Sequence, residues 1–143
     1  MEEWTILNWI RSRKARKTLL MQTENIQLTL PASEEYEEIA QTAIAHLAIR
    51  RGFTLHEVED LRIIMGETTR LLLGSKEKTE SIHLSYEVTK EHLKLEAHLD
   101  ESVTDPLPQE SITRFTETVS ELLDHFRIDN EKNCVFLTKH RLT

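Results

Sequence analysis

The chain has 143 residues and a formal net charge of −7. That length is one domain's worth, and the acidic balance argues against general nucleic-acid binding, which leaves a basic footprint. No apolar run approaches the roughly 20 residues of a membrane span, and Glu2 and Glu3 stand where a signal peptide would begin basic. The one cysteine, Cys134, makes neither an internal disulfide nor a zinc site by itself, so a reducing cytoplasm is the expected compartment. There are three glycines, Gly52, Gly66 and Gly74, where about ten would be ordinary. A glycine-rich phosphate loop in the second half is excluded on that count.

Residues 1–24 read as a basic amphipathic extension. Trp4, Leu7 and Ile10 lie at helical spacing, and "RSRKARK" (11–17) holds five basic residues and no acid. Such a segment packs on its own domain or a twin subunit, or docks residues 4–17 on anionic lipid. Residues 25–143 form the domain proper. Ile26, Leu28 and Leu30 alternate with polar residues, which predicts a half-buried strand ended by Pro31. Ser33 is the expected N-cap of a helix whose first turns hold Glu34, Glu35, Glu37 and Glu38. Its apolar stripe is Tyr36, Ile39, Ala40, Ala43, Ile44, Leu47 and Ala48, and Gly52 is the expected C′ residue. Thr54 then caps a second helix over 55–73, with stripe Val58, Leu61, Ile64, Met65, Thr68 and Leu72, ended by Gly74.

Two strands follow. A tight turn at Lys90–Glu91 pairs Val88 with Leu93, Tyr86 with Leu95, Leu84 with Ala97 and Ile82 with Leu99. Glu87 then faces Lys94 and His83 faces His98 on the polar side. "SVTDPLPQE" is a loop stiffened by Pro106 and Pro108. A third helix is expected over 109–127 (Ile112, Phe115, Val119, Leu122, Leu123, Phe126), then a last strand in "NCVFLTK". Its inward residues are either Cys134, Phe136 and Thr138, or Val135 and Leu137. The order β-α-α-β-β-α-β predicts an α+β two-layer sandwich: four mostly antiparallel strands with helices on one face.

The words "LTLPASEEYEEIAQTAIAHLAIRRGF", "EVEDLRIIMGE" and "ELLDHFRID", in this order over residues 26–140, resemble the anti-sigma-factor serine kinases. These belong to the histidine-kinase-like (GHKL, Bergerat-fold) ATPase superfamily. In that family the second helix carries a glutamate base and, one turn later, an asparagine that holds magnesium on ATP. The resemblance places Glu67 at the base and Leu71 at the asparagine, and an alkyl chain offers magnesium no oxygen. The family's adenine motif, D-x-G-x-G, falls on Asp100, with Ser102 and Thr104 where glycines belong. The glycine that opens the last helix to phosphate falls on Phe115, and the ATP lid shrinks to "VTDPLPQES". The resemblance therefore implies the fold without its nucleotide site. Glu67 and Asp100 are vestigial positions, and no catalytic residue, cofactor or metal is expected. The expected role is a non-catalytic, protein-binding regulator in a bacterial transcription circuit. Its partner would be a sigma factor or an anti-sigma antagonist, with homodimerisation a further expectation and nucleic acid not a partner. The alternative is a divergent ATP-dependent serine/threonine kinase using Mg-ATP and Glu67 as base.

Other residues carry less. Of the seven histidines (His46, His56, His83, His92, His98, His125, His140), only the facing pair His83 and His98 suggests a site, and two ligands fall short of a transition-metal set. Cys134 reads as a small core residue. Asp60 and Glu67 share a helix face, but a paired-carboxylate mechanism needs an enclosed cleft. The "SIT" and "TET" hydroxyls have no His/Asp spacing that supports nucleophilic catalysis.

Overall fold

A computed structural model describes residues 23–74 and 79–142. The basic amphipathic segment read in residues 1–22 lies outside the described residues. Strand β1 (Glu24–Pro31) leads through a short 3-10 turn (Glu34–Tyr36) into helix α1 (Glu37–Arg50). Helix α2 (Leu55–Leu73), strands β2 (Ser81–Val88) and β3 (His92–Leu99), helix α3 (Gln109–Val119) and strands β4 (His125–Asp129) and β5 (Cys134–His140) complete the chain order. The sheet is antiparallel throughout, in the order β1-β2-β3-β5-β4. The helices cover one face, with α2 in the middle of their layer, touching both α1 and α3.

The β2–β3 register is the expected one, from Val88 opposite Leu93 to Ile82 opposite Leu99. All eight of those inward residues are buried. In β5 the core side belongs to Val135 and Leu137. Cys134 is also buried, but in the row opposite His98, on the polar side. Tyr86 spans the two layers: its hydroxyl donates to the Ala40 carbonyl of α1 (3.3 Å), and burial pushes its phenol well above the ordinary value.

Local chemistry explains the helix ends. Gly52 adopts φ +83°, which L side chains rarely tolerate. It closes α1 with two returning bonds, Phe53 N–H to Ala48 O and Gly52 N–H to Ile49 O, both 3.1 Å. Thr54 and Glu57 form a full capping box at α2. Buried Thr68 and Thr69 satisfy their hydroxyls on carbonyls of their own helix. Gly66 allows α1 to approach closely, since a Cβ there would lie 2.9 Å from the Gln41 amide nitrogen and from a Glu37 carboxylate oxygen.

Three expectations are corrected. The sheet has five strands, because α3 stops at Val119 and residues 125–129 form β4. The run Leu122, Leu123, Phe126 fits a helical stripe, but His125–Asp129 also alternates at period two. Tertiary pairing with β5 decides in favour of the strand: Asp124 N–H donates to Thr138 O, and Asp124 Oδ2 accepts from His140 N–H at 2.6 Å. Ser33 makes no side-chain cap, because the 3-10 turn comes between it and α1. Ile39 is not a core residue but 47% exposed.

Glu57 does more than cap. It is 1% exposed and also accepts from Leu142 N–H at 2.8 Å, tying the segment after β5 to the start of α2. Burial pushes its carboxyl up. The hydrogen bonds from Thr54 and Leu142, with the Lys139 ammonium, outweigh that push and hold it below its ordinary 4.5. The stabilisation is therefore complete above pH 4.5 and is lost as pH falls through the lower folded-state value. Glu57→Ala should cost about 1–3 kcal/mol at neutral pH by stranding two backbone donors. Urea unfolding across pH should show that the gap to the parent protein closes only on acidification.

Candidate functional site

Between α2 and α3 lies a cleft of about 240 Å³. Its floor is apolar. Leu71 is 2% exposed and Phe115 is 1% exposed. Phe115 falls on the α3 stripe and stands edge-to-face on Phe126 at 5.9 Å. The rim is charged: Glu34 comes from the 3-10 turn, Glu37 from the start of α1, Glu67 and Arg70 from α2, and Arg114 with Ser111 from α3. Glu67 is engaged by Arg70 one turn on, Nη1 to Oε1 2.7 Å. A general base must be able to reach the proton it takes, and this carboxylate already carries a cation.

Glu67, Leu71 and Phe115 thus converge on one cleft. Asp100, Ser102 and Thr104 do not line it. Asp100 sits just past β3 and is used structurally. It accepts from the Thr79 hydroxyl (2.9 Å), from Glu80 N–H (2.8 Å) and Ser81 N–H (3.1 Å), and from His83 Nε2 (2.8 Å). The His83 bond is the main reason that its carboxyl lies far below the usual range, with burial opposing and the other three donors adding. Ser102 and Thr104 are exposed, but the loop carrying them is tacked down by buried Val103 and Leu107. Asn133 Nδ2 donates to Val103 O (3.2 Å), and Asn130 Oδ1 accepts from Leu107 N–H (2.7 Å).

Asp60, paired in sequence with Glu67, is held by Lys139 Nζ of β5 at 3.7 Å and does not line the cleft. The rim residues Glu34, Glu37, Arg70 and Arg114 escape sequence reading. Only the i, i+3 spacing of Glu67 and Arg70, and the position of Arg114 just before Phe115, mark any of them.

The open sheet face carries a second constellation. Thr29, His83, His98, Cys134 and Asp129 form one row across all five strands. The imidazoles of His83 and His98 stack at 4.9 Å and 21°. Face-to-face rings do not aim their lone pairs at one point, and among the described residues no group of three or more His, Cys, Asp or Glu is arranged to hold a metal. His98 Nδ1 donates to Leu99 O (2.9 Å). His83 is held between Asp100 and the Thr29 hydroxyl, 3.3 Å from Nδ1. The Cys134 thiol is pushed up to about 11 by burial, then by the neighbouring Glu96, so it stays protonated and is a poor nucleophile. Among the described residues no helix is long and apolar enough to cross a membrane.

No protein-family model matches the chain, and no curated protein matches it.

The Asp100 network makes a local prediction. Asp100→Ala should expose the amides of Glu80 and Ser81 to exchange and cost about 1–3 kcal/mol. Hydrogen exchange followed by NMR should show the loss concentrated at the start of β2, with the β3–β5 ladder still protected.

Proposed function

We propose that this chain is a non-catalytic regulatory domain that acts by binding protein, built like an anti-sigma-factor serine kinase that has lost ATP. The observation that carries the reading is the cleft floor. Leu71 and Phe115 are buried at the two positions where the resemblance asks for a magnesium ligand and a phosphate-facing glycine. At the floor a nucleotide would meet alkyl and aryl groups; the donors Arg70, Ser111 and Arg114 stand on the rim, where Arg70 is ion-paired to the retained Glu67. Binding a polyanion leaves the oxygens that face this floor unsatisfied, which is costly. What remains is a shallow cleft with a rim of both charge signs, suited to side chains of another protein. A sigma factor or its antagonist is the proposed partner class, and the compartment is the bacterial cytoplasm.

Glu67 on the cleft rim is the one observation favouring the alternative, a divergent kinase, so the test is aimed at it. In thermal denaturation, Mg-ATP should leave the melting temperature unchanged. Stabilisation by Mg-ATP that Glu67→Ala removes would establish the kinase reading instead. Leu71→Asn, which restores the expected oxygen donor, should lower stability by about 2–4 kcal/mol by placing an amide in a packed core. It should still give no Mg-ATP response. For the partner, titration calorimetry with a purified sigma factor and with an antagonist should give binding to one of them that weakens in Arg114→Glu. Absence of binding to both would remove the sigma-circuit assignment.

A further inference from the structure

Helix α1 stands at the end of the helix layer, beside the edge strand β1. Arg50 and Arg51 at its end ion-pair with Glu24 at the start of β1 (3.2 and 3.0 Å), so helix and strand run in opposite directions side by side. Gln41, which donates to the Arg62 carbonyl of α2, marks the side of α1 that faces the domain. Ile39, Ala43, His46 and Arg50, spaced by four, three and four residues, occupy the opposite side. Ile39 and the neighbouring Ile49 are 47% and 56% exposed, and Ile26 and Leu28 of β1 are only half-buried. Apolar groups thus reach from one end of this flank to the other. Its far end is acidic: Glu35 and Glu38 are exposed, with no cation in ion-pair reach among the described residues.

The chain itself supplies a matching segment. Residues 1–22 enter β1 through Thr23, at the Arg50 end of this flank. Followed backwards from Thr23, they present Leu19, Leu20 and Met21, then the basic run 11–17, then Ile10, Leu7 and Trp4. Taken as helix, the stretch from Arg11 to Gln22 spans about 18 Å, and α1 spans about 21 Å. A segment that turns back at Thr23 and lies along α1 therefore brings Leu19, Leu20 and Met21 beside Ile49 and His46. Arg11, Arg13 and Lys14 arrive at Glu35 and Glu38, and Ile10 arrives at Ile39.

We propose that residues 1–22 dock on this outer side of α1 within the same chain. Apolar meets apolar at both ends of the contact, and the basic run meets the acidic first turns of the helix. The connection through Thr23 is short, so the effective concentration is high and a modest surface is enough to hold the segment. Docked there, it also shields β1, whose stretch from Asn25 to Leu30 has no charge, glycine or proline to protect an edge. The open face of the sheet is a poorer match. Among the described residues it exposes the cations Lys94 and Arg127 and no aliphatic side chain. The docking site lies on the far side of α1 from the α2–α3 cleft, so it does not depend on which ligand or protein that cleft takes.

The test uses the full, isotope-labelled chain with a nitroxide on Ser12→Cys, Cys134 being buried. Amide NMR signals of α1 from Glu35 to Ala43 should broaden, and those of β4, at the other edge of the sheet, should stay sharp. Arg11→Glu with Arg13→Glu and Lys14→Glu should remove most of that broadening, and adding Glu35→Lys with Glu38→Lys should bring it back. Ile39→Glu, at an exposed position, should reduce it with circular dichroism unchanged. Broadening spread evenly over the surface, or α1 broadening indifferent to the charge changes, would overturn the proposal. So would broadening seen only on an isotope-labelled chain mixed with a spin-labelled one, which would place the segment on a second copy. Binding to phosphatidylglycerol vesicles that the three arm substitutions abolish, with no α1 broadening in their absence, would assign the segment to a lipid surface instead.

Discussion

The pairing of β2 with β3 is the constraint on which the rest of this domain depends. Side chains along a strand alternate, so a slip of one residue would move every one of the eight buried partners to the polar side. With the register held, the core face receives Tyr86, Leu84, Leu95 and Ala97, and α1 and α2 settle on it. The same register decides the open face. It sets His83 against His98, extends that row to Thr29 and Cys134, and brings the end of β3 level with the start of β2. Asp100 follows β3 directly, so its carboxylate arrives among the donors of Thr79, Glu80, Ser81 and His83. The Asp100 carboxylate is taken by the strand junction because the core pairing puts it there.

A similar competition governs α2. Its buried side is continuous from Val58 to Leu72, and Leu71 extends it toward α3. Burying one leucine or phenylalanine side chain contributes about 1.5–3 kcal/mol. Leu71 and Phe115 together therefore supply a sizeable part of the marginal stability of a domain this small. An oxygen ligand at position 71 and a bare backbone at position 115 would forgo that contribution and need a bound cation or phosphate to recover it. At positions 71 and 115 this chain places packed side chains. The cleft beside them has a charged rim, where Glu67 pairs with Arg70 and Glu34, Glu37 and Arg114 also stand.

Much of this was legible beforehand, for identifiable reasons. The β2–β3 register follows from two uninterrupted period-two runs joined by a short turn. The α2 stripe, the Thr54 cap and the Gly52 closure follow from local chemistry acting within a few residues. At the cleft floor, Phe115 is read on the α3 stripe, whereas the burial of Leu71, beside the α2 stripe, is shown by the fold. Illegible features were those decided between distant segments. Residues 120–129 fit a helical stripe and a strand almost equally, and only the partner β5 and the Asp124 contacts break the tie. Ile39 fits the α1 stripe by spacing, yet it lies on the side turned away from α2. The Asp100–His83–Thr29 chain joins residues up to 71 positions apart, which no local pattern encodes.

The position of Ile39 shows how the helix layer is organised. α1 is attached to the domain on two sides: Ala40, Ile44 and Leu47 meet the sheet, and Glu37 and Gln41 meet α2 at Gly66. A helix at the end of such a layer, above the last strand of the sheet, has a third side that the domain itself does not cover. In many small α+β domains that side is polar, which keeps the edge inert. Here it carries isoleucine and alanine beside a strand uncharged from Asn25 to Pro31, while charge is concentrated at the two ends of α1 and opposite in sign. The arrangement leaves the cleft and the β1 edge on opposite flanks of α1. Contact at one flank therefore need not obstruct the other, and at the Glu37–Gly66–Gln41 crossing between them α1 and α2 approach closely.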